Sequence, residues 1–194
     1  VSIAGVITGA GALTKSGTNT LTLTGTNTNS GTVTITGGTL NANTTDALGD
    51  GSGTNTLIFN GGTLQAGGTF TSPTARGVTL TGTGNIDTQA FNVIINGVIS
   101  GASGITKNGT GALGLGNAAN TYTGQTLINA GTLSVGTLAN GAANSSLGAT
   151  AATTPILIGS MGSAGTLTYT GGAVSTDRQI SINGNGGGTI NNAG

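Results

Sequence analysis

Val1 to Leu40 reads VSIAGVITGAGALTKSGTNTLTLTGTNTNSGTVTITGGTL, and Val93 to Leu133 reads VIINGVISGASGITKNGTGALGLGNAANTYTGQTLINAGTL. Laid over one another, the two strings put Lys15 on Lys107, 92 positions apart. With one residue inserted before Gly124, Gly31 falls on Gly124, Ile35 on Ile128 and Leu40 on Leu133. The match runs on more loosely, from Leu48-Gly49 onto Leu147-Gly148, from GGTLQA at Gly61 onto AGTLTY at Ala164, and from RGVTLTG at Arg76 onto RQISING at Arg178. Every basic residue therefore has a counterpart in the other copy. A repeat of this length points to stacked architectures, in which each unit buries its apolar face against its neighbour. Two units are expected, residues 1–92 and 93–194, continuous in one solenoid.

Inside each unit, short runs alternate in character with period two: Thr20 to Thr24, Thr32 to Thr36, Leu57 to Phe59, Val78 to Leu80, Val93 to Ile95, Thr126 to Ile128, Ile156 to Ile158, Thr166 to Thr170 and Ile180 to Ile182. Such alternation marks strands with one buried face, and Leu21, Leu23, Val33, Ile35, Leu167 and Ile182 are expected to point inward. Repetition and the scarcity of long hairpin signals favour an all-β parallel β-helix over a sandwich or barrel. At about 20 residues and about 4.8 Å per coil, the chain makes roughly ten short coils. Gly and Asn are expected to supply positive φ at the corners. Thr is expected to line the outer strand faces, where its branched side chain suits the pleat and stacks in ladders.

Composition agrees. The 194 residues include 40 Gly, 39 Thr and 20 Asn, which disfavour helix interiors. Zero net charge and 35% hydrophobic residues are equally unlike a disordered chain. No apolar run approaches the roughly 18 residues of a membrane-spanning helix, so no transmembrane segment is expected. Four basic residues, Lys15, Arg76, Lys107 and Arg178, are too few for a nucleic-acid surface.

The residue inventory also argues against an enzyme. There is no His to activate a Ser or Thr, and no His or Cys to bind zinc or a similar metal. Asp46 and Asp50 sit four apart in a Gly-rich connector and are read as solvating, Asp87 stands alone at an expected corner, and Asp177 adjoins Arg178 as a surface ion pair. Clustered carboxylates for acid–base work or calcium are therefore not expected. The GNGGGT run at Gly184 lacks the Asp of calcium-binding nonapeptides. Catalytic, cofactor and metal sites are all expected to be absent. Lys15, Lys107, Arg76 and Arg178 are read as solubilising the outer surface, or as a sparse basic stripe for acidic glycans. Tyr122 and Tyr169 could stack on sugar rings, but two aromatics so far apart in sequence make a poor lectin groove.

The stretch from Gly97 to Gly136 resembles the autotransporter-associated β-strand repeat, also called the passenger-associated transport repeat. The resemblance rests on Ile105-Thr106-Lys107, Leu113-Gly114-Leu115, Asn120-Thr121-Tyr122-Thr123-Gly124 and Ala130-Gly131-Thr132-Leu133. The first copy keeps Leu13-Thr14-Lys15, Leu21-Thr22-Leu23 and Gly38-Thr39-Leu40 but departs between Asn27 and Gly31, where Tyr122 has no equivalent. The resemblance implies a right-handed parallel β-helix on the bacterial cell exterior, in passenger domains or very large surface proteins.

Three functions follow as expectations. The first is a structural segment or subunit of an extracellular fibre, its partners being copies of itself stacked end to end and cell-surface glycans. Neutral charge removes repulsion between such copies, and Gly194 stops where a unit beginning at Val1 would follow. The second is an adhesin-like passenger stalk. The third is an ice-binding array built from Thr22-Thr24, Thr32-Thr34 and Thr166-Thr168.

Overall fold

The computed structural model describes residues 1–160 and 162–194. The chain winds into a parallel β-solenoid whose turns stack on three faces. One face holds nine strands, at Ser2–Ile3, Thr20–Leu23, Thr39–Ala42, Thr63–Ala66, Gly84–Asp87, Ile105–Asn108, Thr126–Ile128, Ile156–Ile158 and Ile180–Ile182. A second holds six, from Phe70–Ser72 through Val93–Ile95, Ala112–Leu115, Gly131–Val135 and Gly165–Tyr169 to Gly188–Asn192. The third holds five, at Leu13–Lys15, Val33–Ile35, Leu57–Phe59, Val78–Leu80 and Ile99–Gly101. About nine turns result, close to the roughly ten expected, and all nine runs read from the sequence are strands.

Register turns the alternation into a core. On the five-stranded face Val33, Leu57, Val78 and Ile99 stack in one inward column and Ile35, Phe59 and Leu80 in the next. On the six-stranded face Leu113, Leu133 and Leu167 do the same. Leu23, Val33, Ile35 and Leu167 are buried as expected, and Leu21 is half-buried. Ile182 is 51% exposed, because no further coil covers the last strand of its face.

Corners differ from expectation in one respect. Among the described residues the non-glycine positions with positive φ are Gln89 and Ala142, so Asn does not turn the chain by that route. Gly does. Gly38 and Gly131 occupy the same place in the two units, with φ of +58° and +65°. A Cβ on either would lie 2.5 Å from a carbonyl oxygen of the coil beneath, that of Gly17 or Gly111. Both the backbone conformation and the close coil-to-coil approach therefore require glycine.

The two copies of the repeat do not lie on the same face. Leu13 stacks under Val33, Leu57, Val78 and Ile99, which places Ile99 four coils above it and 86 residues along the chain. The repeat offset is 92, six residues more, which carries Ile105 from the five-stranded to the nine-stranded face. Strand for strand, Leu13–Lys15 and Thr20–Leu23 lie on the five- and nine-stranded faces, while Ile105–Asn108 and Ala112–Leu115 lie on the nine- and six-stranded faces. The second copy is thus rotated about the axis by one face.

Leu40 is fully buried in the column Leu21, Leu40, Leu64, so Leu40→Ala should lower stability by about 2–5 kcal/mol. Thr39→Ala on the outer side of the same strand should change it by about 0.5 kcal/mol or less. Urea unfolding followed by circular dichroism measures both. Equal losses would mean the stated register is wrong.

Candidate functional site

The side chains that distinguish this solenoid from a plain aliphatic stack lie inside it. Lys15, Arg76, Lys107 and Arg178, expected on the outer surface, are 5%, 1%, 0% and 6% exposed. The strand pattern explains the lysines. In Leu13-Thr14-Lys15 and Ile105-Thr106-Lys107 the third residue shares the inward side with the first, and Lys107 occupies a core column between Ile86 and Ile128. The aliphatic stem packs there and the ammonium reaches the corner. Lys15 Nζ donates to the carbonyls of Ser16, Gly17 and Gly37 at 2.8, 2.9 and 2.9 Å. Lys107 Nζ donates to those of Asn108, Gly109 and Ala130 at 2.9, 2.8 and 3.1 Å. Each ammonium ties its own corner to the next coil, by the same geometry on two different faces. Burial pushes Lys107 down to about 8, with Asp87 pulling it partly back.

The arginines hold loops. Arg76 Nε donates to Asn55 Oδ1 at 2.9 Å, its Nη1 to the Thr45 carbonyl and hydroxyl at 3.1 and 2.9 Å, and its Nη2 to the Gly49 carbonyl at 2.9 Å. Arg178 donates to the carbonyls of Ala139, Leu147, Ala143 and Gly148 at 3.0, 2.9, 3.0 and 2.6 Å. Gly49 and Gly148 are the pair that the sequence alignment matched, so the loose part of the repeat is held by one contact in both units. Burial lowers both guanidinium groups from their ordinary value. Arg178 is thus not the surface partner of Asp177, whose carboxylate instead accepts the Gly141 N–H at 2.7 Å.

Asn27 and Asn120 form a third pair, which sequence reasoning missed. Asn27 accepts the Ile7 N–H at 2.8 Å from the coil below and donates to the Ala47 carbonyl at 2.7 Å in the coil above. Asn120 does the same between the Ile99 N–H and the Ser146 carbonyl, at 2.9 and 3.0 Å. The signal was identity itself, since both copies place Asn at this point of an otherwise divergent loop. Two residues on, Tyr122 is fully buried, bonds Thr126 Oγ1 through its hydroxyl at 2.9 Å, and is pushed up to about 12 by burial. It cannot stack on a sugar. Tyr169 donates its hydroxyl to the Gly172 carbonyl at 2.7 Å.

The carboxylates face outward. Asp46, Asp50 and Asp177 are exposed and Asp87 half-buried. Asp50 is held below its usual range by the Ser52 N–H. Asp87 is not isolated: burial pushes it up, but amide donors from Gln65 and Gln89 and the nearby Lys107 outweigh that and leave it low. Asn41 donates to Gln65 Oε1 at 2.9 Å and Gln65 to Asp87 Oδ2 at 3.0 Å, a polar ladder along the outside of the nine-stranded face. Among the described residues no three His, Cys, Asp or Glu side chains gather as a metal site. A basic stripe for acidic glycans is ruled out by the burial of its four members. The Thr pairs of the ice-binding reading scatter, since Thr22, Thr34 and Thr166 lie on the nine-, five- and six-stranded faces respectively.

At both ends of the stack the core is open. Val1, Ile3 and Val6 are exposed in the first coil, and Val174, Ile180, Ile182 and Ile190 in the last. A groove of about 460 Å³ in the last coils is lined by Leu138, Tyr169, Val174 and Ile190 among others.

Comparison with known proteins agrees with this architecture. The family model of the passenger-associated-transport-repeat matches residues 13–42 and 105–135. The chain is 34% identical over 207 residues to the Adhesin BmaC autotransporter of Brucella suis biovar 1 (strain 1330), an alignment covering 100% of this chain and 6% of that protein. The chain therefore spans about 6% of the length of this curated relative. No solved structure matches the chain.

Two measurements test the internal contacts. Asn120→Ala leaves the Ile99 N–H and Ser146 carbonyl unpaired in the interior, and should cost about 1–3 kcal/mol for each group so exposed. For Lys107, the unfolded chain holds its proton up to 10.5 and the folded chain only to about 8. The unfolded state then binds more protons between these values, so stability rises with pH, by at most about 1.4 kcal/mol per unit. Above pH 10 the order reverses, because unfolded Tyr122 ionises near 10.0 and folded Tyr122 near 12. Urea unfolding between pH 8 and 10 should show the rise in the natural chain and lose it in Lys107→Met.

Proposed function

We propose that this chain, a member of the passenger-associated transport repeat family, is a length of rigid stalk in the extracellular passenger of a bacterial surface adhesin. Its role is structural and non-enzymatic: it holds other parts of a much longer polypeptide away from the cell. The observation that carries this reading is the pair of internal contact sets. Both units tie coil to coil through the same Lys, Arg and Asn positions, so all four basic side chains of the sequence are committed to holding coils together. The relative's description as an autotransporter adhesin supports the setting.

The open ends suit a segment continued by further coils of the same polypeptide. End strands leave backbone groups unpaired, and the exposed Val1, Ile3, Val6, Ile180, Ile182 and Ile190 extend core columns that a neighbouring coil would cover. A second reading uses the same surfaces differently, with separate chains stacking end to end into a fibre. Its support is the apolar character of both ends together with zero net charge.

Sedimentation velocity and negative-stain electron microscopy separate the two. The isolated chain should sediment as a monomer at micromolar concentration, and a covalent tandem of two chains should form one rod of about twice the length with higher thermal stability. Filaments growing from the isolated chain would favour the fibre. Two rods joined by a flexible hinge, unfolding independently, would defeat the stalk.

A further inference from the structure

The first unit contains a polar interior position that the second unit lacks. Asn29 and Tyr122 are structural equivalents. The N–H groups of Thr28 and Thr121, one residue earlier, bond Ile7 and Ile99 in the coil below, and the carbonyls of Asn29 and Tyr122 accept the N–H groups of Asp50 and Ala149 in the coil above. Gly49 and Gly148, both at positive φ, lie over the two side chains. In the second unit the space beneath the glycine is filled by an aromatic ring with its hydroxyl bonded to Thr126.

In the first unit the same space is shared by two asparagines. A Cβ on Gly49 would lie 2.6 Å from Asn55 Nδ2 and 2.9 Å from Asn29 Nδ2. Asn55 is fully buried and fully engaged: its Oδ1 accepts from Gly51 N and Arg76 Nε, and its Nδ2 donates to the Gly31 carbonyl. The residue at the same distance after Gly148 in the second unit, Thr154, is half-buried. Asn29 is 2% exposed, yet neither Oδ1 nor Nδ2 has a protein partner. An amide buried without partners costs about 1–3 kcal/mol, whereas interior water satisfies such groups with two to four hydrogen bonds.

We infer that Asn29 is the anchor of an internal water site beneath Gly49, and that the Asn29–Asn55 pair with its bound water replaces the Tyr122 ring. The ligand is water alone. The position is closed, and its neighbour Asn55 is itself bonded to the Arg76 guanidinium, so the setting favours a small neutral dipole that both donates and accepts. The two units therefore reach the same corner geometry by alternative fillings, one dry and aromatic, one polar and hydrated.

Water-to-protein rotating-frame cross-peaks on the ¹⁵N-labelled natural chain test this directly. The Asn29 side-chain amide protons should show long-lived water contacts that vanish in Asn29→Leu. Absence of such contacts on an assigned Asn29 amide, or an experimental electron-density map showing that amide bonded to protein groups, would overturn the inference. Stability gives a second readout. Asn29→Leu removes the need for water at similar volume and should leave the folding equilibrium within about threefold of the natural chain or raise it. A loss beyond about tenfold would show that the amide makes a protein contact the water site excludes.

Discussion

A coil that stacks on its neighbour at about 4.8 Å satisfies its strand backbone and part of its corners by coil-to-coil bonds, but leaves corner carbonyls such as those of Gly17, Gly37, Gly109 and Ala130 to be bonded by side chains. That constraint organises the molecule. Lys15 and Lys107 gather three carbonyls each, Arg76 and Arg178 collect loop carbonyls from the coil before, and Asn27 and Asn120 bridge the coils on either side. Donors with several N–H groups suit this task because carbonyl oxygens outnumber available partners at a turn. A buried cation bonded mainly to neutral oxygens carries a desolvation penalty, visible in the lowered Lys107, Arg76 and Arg178, which the multiple bonds and nearby carboxylates offset.

Because these contacts are local to a corner and its neighbour, they do not depend on position about the axis. Lys15 acts at the end of a strand on the five-stranded face and Lys107 on the nine-stranded face, with the same relative partners. The repeat is therefore a code for how one coil meets the next rather than for a face of the rod. This is why coil lengths can vary, from 19 residues between Thr20 and Thr39 to 34 between Leu133 and Leu167, without breaking the stack. Extra residues are extruded as loops, and the arginine of the following coil fastens the loop that results.

Much of the fold was legible from the chain itself. Period-two alternation located nine strands, and the offset copies located the solenoid. Eleven further strands were harder to see, because runs such as Thr39–Ala42, Thr63–Ala66 and Gly84–Asp87 carry Asn or Gln on the outer side and one small inward residue, Ala42, Ala66 or Gly84, which weakens the pattern. The interior contacts were misread for a different reason. Charge suggested that Lys and Arg lie outside, whereas the alternation in Leu13-Thr14-Lys15 placed the lysine inside, and the stronger rule was the geometric one. Asn27 and Asn120 were invisible to composition, since 20 asparagines look alike until coils are stacked.

Zero net charge also takes on another meaning. The four cations are inside and the four carboxylates are outside or half-buried. The flanks of the rod carry carboxylates and polar ladders together with the part-exposed Phe91, Ile94 and Val98, and their strand edges are closed within the winding. Among the described residues the two ends combine open strand edges with exposed aliphatic columns. On the proposed reading as a stalk, the ends are where further coils would continue the stack. The proposed stalk would use that difference between ends and flanks, since its length grows along one direction only.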